Sequence, residues 1–180
     1  MEYGNFYKEE RWNDFIRRGQ YPYAKDLVYM SFVERFQNLL DKIILEDIPV
    51  FLNMQTVSLD KIRRIFYFIA TSTPSELSFT YLSKKVGVDK SIVENVMVLL
   101  GKIWLISLVP KFGSLSDRVR KEYKILLGNT NLYSAYNLQT DIGILRESFF
   151  VSRLKTNPHA EIFLPRAGDF IVEILDKKYL

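Results

Sequence analysis

Between Trp12 and Phe51 the apolar residues recur at three- and four-residue steps: Leu27, Met30, Val33, Phe36, Leu39 and Leu40, then Ile43 and Ile44. That spacing lays side chains along one stripe of an α-helix. Gly19-Gln20-Tyr21-Pro22 interrupts it, because glycine and proline punctuate helices. Two or three helices with a turn at Tyr21-Pro22 are therefore expected over 1–58. Ser58 is a fair N-cap for a further helix over 59–71, whose stripe is Ile62, Ile65, Phe66 and Ile69. The loop Ser72-Thr73-Pro74-Ser75 ends that helix. Ser78 then caps a short helix with Tyr81, Leu82 and Val86 facing inward. Gly87 supplies a permissive backbone angle for a tight turn, and Asp89 caps the helix after it. This third helix is predicted from Lys90 to Lys102, buried through Val93, Val96, Met97 and Leu100.

Trp104-Leu105-Ile106-Ser107-Leu108-Val109 reads as a strand, Pro110 to Arg118 as a polar loop, and Tyr123-Lys124-Ile125-Leu126-Leu127 as a second strand. Helix, short helix, turn, helix and two-stranded hairpin is the element order of a winged helix-turn-helix, expected over 59–128. Residues 129–180 predict a loop into a short helix at Asn129-Thr130-Asn131-Leu132-Tyr133, then a helix over 142–155 with Leu145, Phe149 and Leu154 inward. Glu161–Leu164 and Asp169–Ile174 read as strands, and a third begins at Lys178-Tyr179-Leu180. An apolar strand with no polar tail predicts a polypeptide that continues past Leu180. The class expected is α+β.

Charge sharpens this picture. Residues 1–58 hold 7 Lys and Arg against 9 Asp and Glu, residues 59–128 hold 12 against 6, and residues 129–180 hold 6 against 6. The basic excess thus falls wholly in the middle segment, where it is either a polyanion-binding face or a solvated surface. There is no cysteine, so disulfides and thiolate chemistry are excluded. Neither a signal peptide nor an apolar run of about 18 residues is legible, and a cytoplasmic location without membrane contact is expected.

The sequence lacks a phosphate-cradling loop of the Gly-x-x-x-x-Gly-Lys-[Ser/Thr] type. Its one Gly-Lys pair, Gly101-Lys102, falls within a predicted helix and is followed by Ile103. His159, the single histidine, stands beside Pro158 and is not expected to be catalytic. The third helix could enter a DNA groove through Lys90, Ser91 and Asn95, with Lys84 and Lys85 on the helix before it. Lys111, Arg118, Arg120, Lys121 and Lys124 on the wing would meet phosphates. The same surface could instead meet a protein partner. That third helix has no arginine, the commonest reader of guanine, and its exposed face carries Glu94. Glu147, Asp169 and Glu173 have the helix-and-strand placement of carboxylates that hold a divalent metal beside a phosphodiester. They could equally be charges on strand edges and helix surfaces.

Six short motifs in this order resemble the C-terminal region of the bacterial and archaeal AAA-type P-loop ATPases that carry a C-terminal domain of unknown function. They are Gly19-Gln20-Tyr21-Pro22, Glu46-Asp47-Ile48, the stretch Leu82 to Leu108, Leu127-Gly128-Asn129-Thr130-Asn131-Leu132-Tyr133, Arg146-Glu147-Ser148-Phe149-Phe150 and Gly168-Asp169-Phe170. The resemblance implies a restriction-endonuclease-like fold over 129–180, incomplete here, with Glu147 and Asp169 at its first two carboxylate positions. The third acidic position and the lysine of that pattern are missing, and a metal-dependent nuclease becomes the lesser expectation. The resemblance also implies an ATPase core outside this chain, so ATP and magnesium are expected only there and no cofactor in residues 1–180. The function expected is a non-catalytic region that engages a nucleic-acid or protein partner. A free-standing winged-helix DNA-binding regulator is the alternative.

Overall fold

A computed structural model describes residues 9–21, 24, 26–52, 59–113, 122–137, 139–175 and 177–179. The chain is α+β: helices and two small antiparallel sheets. Helix α1 (Glu9–Asp14) runs into a π-helical turn, Phe15–Gly19. Helix α2 (Tyr29–Lys42) continues through a second π turn, Ile43–Asp47, into α3 (Ile48–Leu52). The face that α2 buries is Phe32, Val33, Phe36 and Leu40. Met30 and Leu39, expected on that face, are 64% and 39% exposed, and Phe32 takes the inward position instead. Ser58 and Pro22, expected as cap and turn, lie outside the described residues.

Helix α4 (Leu59–Thr71) buries Ile62, Ile65, Phe66 and Ile69, as its period requires. Residues Glu76–Ser78, between the expected loop Ser72-Thr73-Pro74-Ser75 and the cap at Ser78, form strand β1, which the sequence reading does not include. Ser78 caps α5 (Phe79–Val86) by accepting the Tyr81 N–H at 3.1 Å. Inside α5 the buried residues are Phe79, Leu82 and Val86, whereas Tyr81 faces solvent. Gly87 takes φ +65°, the left-handed angle that stops α5 without a Cβ penalty. Helix α6 (Lys90–Lys102) comes next. Asp89 sits at its N-cap but makes no side-chain cap bond, contrary to the sequence expectation. Val93, Val96, Met97, Leu99 and Leu100 are its buried residues.

Strand β2 (Ile106–Pro110) pairs antiparallel with β3 (Glu122–Leu127), and β1 pairs with the other edge of β3, so the sheet order is β1-β3-β2. Trp104 stands in the turn before β2 at φ +63° rather than in the strand. Helix α7 (Thr130–Tyr136) leads to α8 (Ile142–Leu154) and a second sheet, β4 (Ala160–Phe163), β5 (Ile171–Ile174) and β6 (Lys177–Tyr179), in that order. A parallel bridge between Lys111 and Leu164 ties the two sheets, with Leu164 N–H donating to Pro110 O at 2.9 Å. One continuous apolar core runs from Ile16 to Leu145. A smaller one gathers Val109, Leu126, Val151, Ile162, Leu164 and Phe170 under the second sheet. Among the described residues no helix is long and apolar enough to cross a membrane.

Candidate nucleic-acid interface

The buried stripe of α6 dictates what its other side shows. With Val93, Val96, Met97 and Leu100 turned inward, Ser91, Asn95, Val98 and Lys102 fall at steps of four, three and four on the opposite side, and all are exposed. Lys90 opens the same helix and lies 3.7 Å from Glu94, a solvated pair that screening weakens. Lys84 and Lys85 occupy the last turn of α5, separated from α6 only by the Gly87 turn, and are exposed. The Lys85 ammonium sits 5.5 Å from the centre of the Tyr81 ring. Lys84, Lys85, Lys90, Ser91 and Asn95 are thus all exposed on two helices that pack together: lysines suited to phosphate oxygens, and neutral donors and acceptors suited to base edges.

The β2–β3 side differs. Arg118, Arg120 and Lys121 lie outside the described residues. Lys111, the residue after β2, holds Glu76 of β1 at 2.8 Å and Glu122 of β3 at 2.9 Å. Hydrogen bonds to those two carboxylates raise its pKa above the ordinary lysine value. Lys124 is paired with Glu147 on α8, and its ammonium lies 5.2 Å from the Phe170 ring. Both cations are thus matched by carboxylates of the chain itself and add less field to the β2–β3 side than a free lysine would.

Glu147 and Asp169 line one open cavity of about 450 Å³ together with Gly143, Arg146, Phe150 and Phe170. Glu173 does not line it; across the second sheet it pairs with Lys178 at 3.0 Å. Among the described residues no three His, Asp or Glu side chains stand where they could hold a metal ion together. The charge of Glu147 is already met by Lys124. His159 is exposed, in the turn before β4.

A family model described as Domain of unknown function (DUF8612) matches residues 9–155. The chain belongs to this family. The DUF8612 match takes in α1 through α8 and the first sheet but ends before β4. The chain is also similar to "Uncharacterized protein MJ1637" of Methanocaldococcus jannaschii, at 25% identity over 117 residues. That alignment covers 65% of this chain and 25% of the relative, so the chain spans about a quarter of the relative's length. No solved structure matches.

Within the DUF8612 span lies an arrangement that the sequence does not announce. Buried Thr130 and Asn131 at the start of α7 both donate to the carbonyl of Ile16, Asn131 at 3.1 Å. Ser134 donates to Arg17 O at 2.6 Å, and Gln20 N–H donates to Asn131 Oδ1 at 3.2 Å. Asn129 and Arg153 both donate to the Gln20 side-chain oxygen, at 3.2 and 3.1 Å. Arg17 returns a bond to Thr140 O at 3.1 Å. Gly19-Gln20 and Asn129-Thr130-Asn131, separate motifs in the sequence, are thus two halves of one polar joint. It docks the first π turn against α7 and α8. The only signal for it in the sequence is polar residues at helix-start positions, which reads equally well as capping.

Proposed function

We propose that this chain is the non-catalytic, partner-engaging region of an AAA-type ATPase, and that its winged helix holds nucleic acid on the α5–α6 face. The observation that carries this reading is the sheet order β1-β3-β2 around α5, the Gly87 turn and α6. That arrangement leaves the Ser91–Asn95–Lys102 stripe uncovered beside Lys84, Lys85 and Lys90. A helix presented this way fits a major groove, with lysines positioned by the phosphates on either side. The ATPase, with its ATP and magnesium, belongs to the part of the protein outside this chain. The relative, about four times as long as its alignment, has room for such a domain.

The helix α8 followed by the meander β4-β5-β6 supports a restriction-endonuclease-like order for 129–180. With Glu147 engaged by Lys124, that segment acts in this reading as a scaffold rather than a nuclease. A free-standing DNA-binding regulator is the second reading, favoured by the same α5–α6 face and distinguished by specificity for one sequence.

Fluorescence anisotropy with duplex DNA across a salt series tests the proposal. Changing Lys84, Lys85 and Lys90 together to Glu should weaken binding and lower the salt slope by about 3 if each lysine neutralises one phosphate. Binding that is unchanged in this variant would remove the face from the account.

A further inference from the structure

Away from the α5–α6 face, α2, α4 and α7 leave a cleft of about 280 Å³ lined by Gln37, Asp41, Arg63, Tyr67 and Tyr136. Gln37 and Asp41 are four residues apart on α2, and Arg63 and Tyr67 are four apart on α4, so each helix offers a same-face pair. Tyr136, the last residue of α7, closes the cleft between them. All five side chains carry polar atoms, and they come from three separate elements.

The geometry of the cleft is specific. The Tyr67 ring meets the Tyr136 ring edge to face, 6.1 Å apart at 81°, and Tyr136 is itself braced by Phe66 at 5.8 Å. This gives an aromatic corner with one rigid wall, while Tyr67 remains 58% exposed. The Gln37 amide is fixed by donating to Ala135 O. Arg63 reaches Asp41 through a single contact at 3.4 Å, a small part of what a five-donor guanidinium can do.

Charge narrows the ligand class. A cation entering the cleft meets Arg63 and an anion meets Asp41, so neither sign is favoured there. What remains is an aromatic face, a donor fork and a carboxylate acceptor around a space just under the roughly 300–1,000 Å³ of small-molecule pockets. The complement is one neutral, planar ring system with acceptors and donors on its edge. We propose that this cleft binds a purine base, stacked on Tyr67, with Arg63 donating to its acceptor edge and Asp41 accepting from its N–H edge. Base–aromatic stacking of this kind is a main source of affinity for unpaired bases. The proposal is independent of the α5–α6 face. The base could belong to a free nucleotide or to a single strand.

Isothermal titration of the chain with guanosine monophosphate, and separately with a short guanine-containing single-stranded oligonucleotide, tests it. Tyr67→Phe should bind as the wild type does, because the stacking face is kept. Tyr67→Ala, Arg63→Ala and the charge-conserving Arg63→Lys should each weaken binding about tenfold or more. Both residues are largely exposed, and circular dichroism checks that the variants fold. Binding of both probes supports a base site open to either source. Binding of the oligonucleotide alone assigns it to single strands, and binding of the mononucleotide alone to free nucleotides. No binding of either probe at millimolar concentration, or binding that Tyr67→Ala and Arg63→Lys leave intact, overturns the proposal.

Discussion

The Thr130 hydroxyl donates to the carbonyl of Ile16, 114 residues away in the chain. Both residues are fully buried, so neither polar group has water to fall back on. Asn131 shares the same acceptor and also receives the Gln20 N–H. A buried polar group stripped of its partner costs about 1–3 kcal/mol. The joint therefore sets how firmly the N-terminal helices hold to the rest of the molecule.

Asn131→Ala is expected to lower stability by about 1–3 kcal/mol, a fall in Tm of a few degrees for a chain of this size. Thermal unfolding measures it. A melting curve within error of the wild type would mean that the joint adds nothing to stability.

Gly128→Ala should be far worse than Gly101→Ala. A Cβ at Gly128 would stand 1.8 Å from the Trp104 carbonyl oxygen, a backbone atom that cannot step aside, while one at Gly101 meets only a Leu108 methyl at 3.9 Å. Trp104 already holds φ +63°, and Gly128 N–H donates to Leu105 O at 2.9 Å, so the two backbones are locked together. The expected loss at Gly128 is about 3 kcal/mol or more. At Gly101, inside α6, alanine should gain about 0.5–1 kcal/mol. Denaturant unfolding of the two variants side by side gives the comparison, and equal effects would contradict it.

The helices were legible where one period held. Val93, Val96, Met97 and Leu100 repeat at helical spacing and are all buried, because nothing interrupts α6. In α2 the period is ambiguous: Met30 and Leu39 match the spacing as well as Phe32 and Leu40 do, and only packing against the rest of the core chooses between them. The π turns carry no periodic signature. Strand β1 has no legible signal of its own, because Glu76–Ser78 is too short for its alternation to be told from chance and becomes a strand only when β3 is there to pair with it. The exposure of Lys84, Lys85, Lys90, Ser91 and Asn95 was legible because the periods of α5 and α6 on either side of the Gly87 turn put other residues inside. The pairing of Lys124 with Glu147 was not, since it depends on where α8 lands against β3.

Stability should fall on alkaline titration. Burial pushes the Tyr133 hydroxyl up to about 12, from an ordinary value of 10, and it also accepts the Leu127 N–H at 3.0 Å. With the folded pKa above the unfolded one, the stabilisation is complete below about pH 10 and is lost as pH rises towards 12. The shift corresponds to on the order of 2–3 kcal/mol. Tyr136, also pushed to about 12 mainly by burial, acts in the same direction. Lys155 acts oppositely: burial lowers its pKa, so the folded state gains as pH climbs to the unfolded lysine value of 10.5. Urea unfolding at several pH values should therefore show a decline above pH 10, and Tyr133→Phe should flatten it. A decline of equal size in that variant would contradict the assignment.

The central claim is that the α5–α6 face meets nucleic acid, and amide chemical shifts of the labelled chain titrated with duplex DNA test it most directly. The account predicts shifts concentrated at Lys84, Lys85, Lys90, Ser91 and Asn95 that fade as salt is raised, since phosphate contacts release counterions. An unperturbed α5 and α6 at low salt, or shifts confined to the β4-β5-β6 sheet, would contradict it.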